Sequence, residues 1–150
     1  AIALGVISTQ LGNIQNTDRR RRFEFIAPAL SPDQSVRDAF FESLGEELNR
    51  QTESWVLGAL AYLHHPLRVE VSEKYLLPSL ELLEEIQITG DIFFPGRWMS
   101  ATLGNYPSDT AVETVRTFLA DRPLYNYQLR LKILQAADMM FRVNEIWKGE

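Results

Sequence analysis

A chain of 150 residues, 45% hydrophobic and 23% charged, has the length and composition of one globular domain able to bury a core of its own. Its net charge of −5 argues against nucleic-acid binding and gives no support for an anionic membrane surface, because both need Lys and Arg in surplus on one face. With no cysteine there is no disulfide framework, thiolate ligand or thiol nucleophile, and the compartment stays open.

The opening run AIALGVISTQLGNIQ is apolar but broken by Gly5 and over by Ser8. A membrane span needs about 20 apolar residues and a signal peptide a basic start. The run has neither, so no membrane insertion is expected. It reads as the middle of a helix, which makes a piece of a longer polypeptide the plainest expectation. Asp18 is the expected N-cap of a helix through Arg19–Arg22, Phe23, Phe25 and Ile26, ending near Pro28. Ser31-Pro32-Asp33 marks the next start, with a Ser cap, Pro at the first helical position and an acid in the first turn. Val36, Phe40 and Leu44 then step by four, widened by Phe41 and Leu48. Thr52-Glu53-Ser54 opens a helix whose Trp55, Ala59, Leu60 and Leu63 share a face, and His64-His65-Pro66 closes it.

A further helix starts at Ser72 with Leu76, Leu80, Leu83 and Ile86 along one side, and Pro78 inside it predicts a kink or a restart. Gly90 ends it, in the positive-φ conformation that suits glycine. The connector Phe93-Phe94-Pro95-Gly96 leads into a helix with Trp98 and Leu103. Ser108-Asp109 opens the helix of Val112, Val115, Phe118 and Leu119, and the last helix runs from about Asn126 to Arg142 or beyond. No stretch alternates with period two, so the fold class is all-α. Pro32, Pro66 and Pro107 recur every 34 to 41 residues, and Trp55–Leu60 and Trp98–Leu103 share a five-residue step. That recurrence predicts an α-solenoid of stacked antiparallel helix pairs, a HEAT-like superhelix, as a single domain over residues 1–150.

Chemistry is sparse. His64 and His65 diverge by about 100° on a helix and lack a carboxylate at the matching step, so they read as a helix-end pair, one of them capping carbonyls, and not as metal ligands. Arg19–Arg22 spread around a helix circumference with no aromatic stacking platform between them. They read as solvated, salt-bridging arginines, with an anion or partner contact as the alternative. Glu46-Glu47 and Glu84-Glu85 sit among polar residues, away from the burial that raises a catalytic carboxyl. No catalytic, metal or cofactor residue is assigned. The connector from Asp91 to Trp98 holds three aromatics and an arginine; it is read first as core packing and second as a groove meeting a neighbouring domain or a peptide.

The segments Ser31-Pro-Asp-Gln-Ser-Val-Arg-Asp-Ala-Phe-Phe, Asn49-Arg-Gln-Thr-Glu-Ser-Trp-Val-Leu and Leu63-His-His-Pro-Leu-Arg resemble the C-terminal helical domain of aminopeptidase N-type zinc peptidases. Gly90-Asp-Ile-Phe-Phe-Pro-Gly-Arg-Trp and Lys132-Ile-Leu-Gln-Ala-Ala-Asp resemble the same domain in bacterial members, so the likeness spans about Asp18 to Arg142. The resemblance implies a helical domain that covers the catalytic domain of the same polypeptide and limits peptide access. The parent enzyme would remove N-terminal residues with one zinc held by HExxH and a downstream glutamate, recognising the amine through G-x-M-E-N. None of these motifs occurs in this sequence, so the chain alone is expected to be inactive and to hold no zinc. Arg68, Phe93, Phe94, Arg97 and Trp98 are the candidate peptide or interdomain contacts, with Trp55 and Trp98 as structural anchors. The alternative is a free-standing HEAT-like scaffold that binds protein partners on its concave face.

Overall fold

In the structure, a computed structural model that describes residues 2–149 and the side chains of residues 4–149, every regular element is helical. The all-α expectation therefore holds for the described residues. The single domain expected over residues 1–150 has its ends, Ala1 and Glu150, outside the described residues. The described chain separates after Leu63 into two compact units.

The first unit holds α1 (Ile2–Asn13), α2 (Thr17–Leu30), α3 (Gln34–Ser43) and α4 (Glu53–Leu63). Asn16, two residues before Asp18, is the N-cap of α2: its Oδ1 accepts from the Arg19 N–H at 3.0 Å. The helix runs past Pro28 to Leu30. Proline there gives up the hydrogen bond to the Glu24 carbonyl and crowds that carbonyl with its ring, and the helix continues with Ile26 and Ala29 buried on either side. Asp33, not Ser31, caps α3 by accepting from Ser35 N–H at 2.9 Å. Ser31 Oγ accepts from Asp33 N–H at 3.1 Å and so shapes the turn ahead of it.

The stripe that α3 buries is Arg37, Phe40, Phe41 and Leu44, while Val36 and Leu48 face solvent. Arg37 takes an interior position because its guanidinium has acceptors there, the Ser31 carbonyl at 2.5 Å and the Gln34 side chain. Arg50 does the same through the carbonyls of Leu44 at 2.5 Å and Gly45 at 2.9 Å. Helix α2 packs chiefly on α4 and also on α3, enclosing Val56, Ala59, Leu60 and Leu63. Phe25 bridges the group edge-on to Phe40 at 5.6 Å and tilted to the half-buried Trp55 at 5.9 Å.

The second unit holds α5 (Val69–Ser72), α6 (Leu76–Glu81), α7 (Leu83–Thr89), α8 (Phe94–Leu103), α9 (Asp109–Ala120) and α10 (Tyr127–Lys148). The expected interruption around Pro78 is present as a series of short pieces: 3-10 turns flank α5, and Leu82 separates α6 from α7. Pro78 lies in the first turn of α6, where a missing N–H costs nothing. Gly90 ends α7 with φ −103° and ψ 176°, so the expected left-handed cap is absent there. Among the described residues Gly149 alone has positive φ, at the end of α10. The expected starts at Ser108 and about Asn126 hold, and both residues are N-caps, of α9 and α10. Helix α8 packs on α10 and α6 on α9, around a core of Leu76, Leu80, Leu83, Ile86, Trp98, Met99 and Ile133.

Candidate functional site

Two features of the second unit carry its chemistry: a buried histidine cluster and an outward-facing connector. His64 follows Leu63 at the end of the Leu60–Leu63 stripe and has no exposed surface. Its Nδ1 shares a hydrogen bond with the Tyr106 hydroxyl, and its own carbonyl accepts from Asn105 Nδ2 at 2.9 Å. The rings of Tyr75 and Tyr106 stand edge-on to it at 6.1 and 5.7 Å. Burial lowers the imidazole pKa from 6.5 to about 3, so the ring is neutral, and burial also raises the Tyr106 hydroxyl above its usual value. His64 therefore works as a neutral hydrogen-bonded core residue. A general base must reach its substrate, and this ring is sealed from one. The expected helix-end pair divides: His65 is exposed, and its Nδ1 accepts from Leu67 N–H at 3.2 Å to open a 3-10 turn.

Beside this cluster lies a cleft of about 530 Å³ lined by Glu70, Glu73, Tyr106, Ser108, Asn144 and Trp147 among others. Its polar groups largely satisfy one another. Ser108 Oγ donates to Glu73 Oε2 at 2.7 Å while capping Ala111 N–H at 3.1 Å. Asn144 Nδ2 donates to the Pro107 carbonyl at 3.2 Å and to Asp109 Oδ1 at 2.7 Å, and Lys148 reaches the same oxygen at 2.9 Å. The Asn144 hydrogen bond, then Lys148, lower the Asp109 pKa. The arrangement ties the loop before α9 to the end of α10. No group of three or more His, Cys, Asp or Glu among the described residues is placed to hold a metal ion.

The five candidate contact residues divide by burial. Phe94 and Trp98 are 1% and 0% exposed, with rings edge-on at 6.0 Å, and Trp98 Nε1 donates to the Ser79 carbonyl at 3.2 Å. That carbonyl lies in the last turn of α6, where a helix needs donors from outside itself. Phe94 and Trp98 are thus enclosed within the unit and do not line its surface. Phe93 is 63% exposed and carries the exposed Arg97 guanidinium at 5.8 Å from its ring centre. Ile88 and Ile92, in the same short stretch, are also exposed. Lys132 Nζ donates to the Ile92 carbonyl at 3.3 Å, pinning the connector to α10. Arg68 is half-buried, in the 3-10 turn before α5.

Sequence reasoning missed the partners of His64 and the role of Asn144. The sequence signal for His64 itself was only its spacing, four residues after Leu60 in the chain. Glu46, Glu47, Glu84 and Glu85 are exposed, as their polar surroundings suggest. Of the four consecutive arginines, Arg20 pairs with Glu24 at 3.5 Å. No helix among the described residues is long and apolar enough to cross a membrane. No family model matches the chain, and neither a curated protein nor a solved structure matches it.

Proposed function

We propose that this chain is the C-terminal helical domain of a zinc aminopeptidase of the aminopeptidase N type, covering the catalytic domain of the same polypeptide and limiting which peptides reach it. The supporting observation is the build of the connector, one of the segments that carries the family resemblance. Phe94 and Trp98 root it in the core, while Ile92, Phe93 and Arg97 face outward. A rigid, apolar surface with one cationic edge is what a domain needs to dock on a neighbour in a fixed pose. The packing of α2 on α4, and of α8 on α10, joins helices two apart in the chain. That supports HEAT-like stacking of helix pairs within each unit. The zinc and the reacting groups belong, on this reading, to the catalytic domain.

The test is to express the full gene product with and without residues 1–150 and to measure turnover of aminoacyl reporters and of longer peptides. The domain reading expects zinc-dependent turnover, and a changed ratio of long-peptide to short-reporter turnover when these residues are removed. A gene product with no zinc-dependent peptidase activity would instead favour the free-standing scaffold.

A further inference from the structure

The arginine run on α2 acquires a second meaning from its surroundings. Arg19 and Arg22 lie three apart and so share one helix face, away from the Arg20–Glu24 pair. Both line a groove of about 430 Å³ in the first unit, with Phe23, Ile26 and Leu30 of α2 and Tyr62 of α4 supplying apolar walls. Gly58 forms part of the floor: a Cβ there would meet Ile26 Cδ1 at 3.4 Å and Arg22 Nη2 at 3.8 Å. Any larger side chain at 58 would occupy the groove. Among the described residues neither the Arg19 nor the Arg22 side chain makes an ion pair or a hydrogen bond. Asp18, four residues before Arg22, forms no pair with it.

We infer that this groove is a docking site for an acidic, amphipathic peptide segment of a protein partner. Its apolar side chains would enter between Phe23, Ile26 and Tyr62, and its carboxylates would meet the two guanidinium groups. Charge complementarity favours that occupant. Guanidinium groups bind carboxylates in a paired, planar geometry, and two of them lining an otherwise apolar trough select an occupant that is apolar with adjacent acids. A bilayer fits less well, because the site is a concave groove and a membrane surface is broad and cannot enter it. This inference does not rest on the peptidase reading.

The probe is a fluorescein-labelled helical peptide of leucine and glutamate at amphipathic spacing, titrated into the whole chain by fluorescence anisotropy. A lysine-for-glutamate analogue and phosphatidylglycerol vesicles serve as comparisons. Saturable binding of the glutamate peptide is expected, weakening as salt rises through the range that screens exposed charges. The double variant Arg19→Glu, Arg22→Glu should weaken it about tenfold or more. Both side chains are exposed, so an unchanged circular dichroism spectrum is expected to show that the variant folds. Gly58→Leu should block binding by filling the trough, whereas Gly58→Ala, which makes only ordinary contacts, should not. No binding of the glutamate peptide, equal binding of the lysine analogue, or binding that survives charge reversal would each overturn the inference. So would attachment to the vesicles without attachment to the peptide.

Discussion

The two units bury polar groups by different means. In the first, Arg37 and Arg50 reach back to carbonyls five or six residues away, so these guanidinium bonds are local in the chain. In the second, several polar contacts join distant segments: His64 with Tyr106, Asn105 with the His64 carbonyl, Trp98 with the Ser79 carbonyl. The lesson concerns what each unit loses when one side chain goes. A local arginine bond holds one turn. A long-range bond between buried groups holds the packing of helices and leaves both partners unsatisfied when broken.

Breaking the second unit at Trp98 should have the largest effect. Trp98→Ala removes a fully buried ring and the only donor shown to reach the Ser79 carbonyl among the described residues, at an expected cost of about 4 kcal/mol. Urea denaturation should show the loss as a lower midpoint for the second unit. Trp98→Phe should recover a large part of it, because the ring returns and the hydrogen bond does not.

Acid should separate the units next. His64 has its folded pKa depressed to about 3 against 6.5 unfolded, so the unfolded chain takes up a proton that the folded chain refuses. Stability is therefore fully present above about pH 6.5 and falls as pH drops toward 3. At pH 5 the loss is about 2 kcal/mol. His64→Gln should flatten that slope in a series of melts from pH 7 to pH 5. The first unit contains no histidine and should show no transition in that window.

The local arginines should matter less. Arg37→Ala leaves the buried Ser31 carbonyl without its guanidinium donor and should cost about 1–3 kcal/mol, read as a fall in the melting temperature of the first unit. Ser108→Ala should cost about 1 kcal/mol through the lost cap on α9. Arg20→Ala should change stability by no more than about 0.5 kcal/mol, since its pair with Glu24 is half exposed.

Local signals made much of the fold legible. Ser108 and Asn126 announce their helices because a short polar side chain before an apolar stripe satisfies the first free N–H groups. The stripe of Leu76, Leu80, Leu83 and Ile86 is buried as its spacing implies. Val36 went the other way, because periodicity cannot see that the Ser31 carbonyl gives Arg37 a place inside. The same limit hid the histidine cluster, which joins residues 42 apart in the chain. The division of the connector into Phe94 and Trp98 inside, Phe93 and Arg97 outside, likewise depends on tertiary packing that no local pattern encodes.

The most direct measurement for the domain reading is a calorimetric titration of this chain against the separately expressed segment encoded upstream in the same gene. The reading expects tight association, altered zinc-dependent turnover on binding, and at least about tenfold weaker association for the exposed-surface variant Phe93→Asp, Arg97→Glu. A folded, zinc-loaded upstream segment that fails to bind this chain would contradict it.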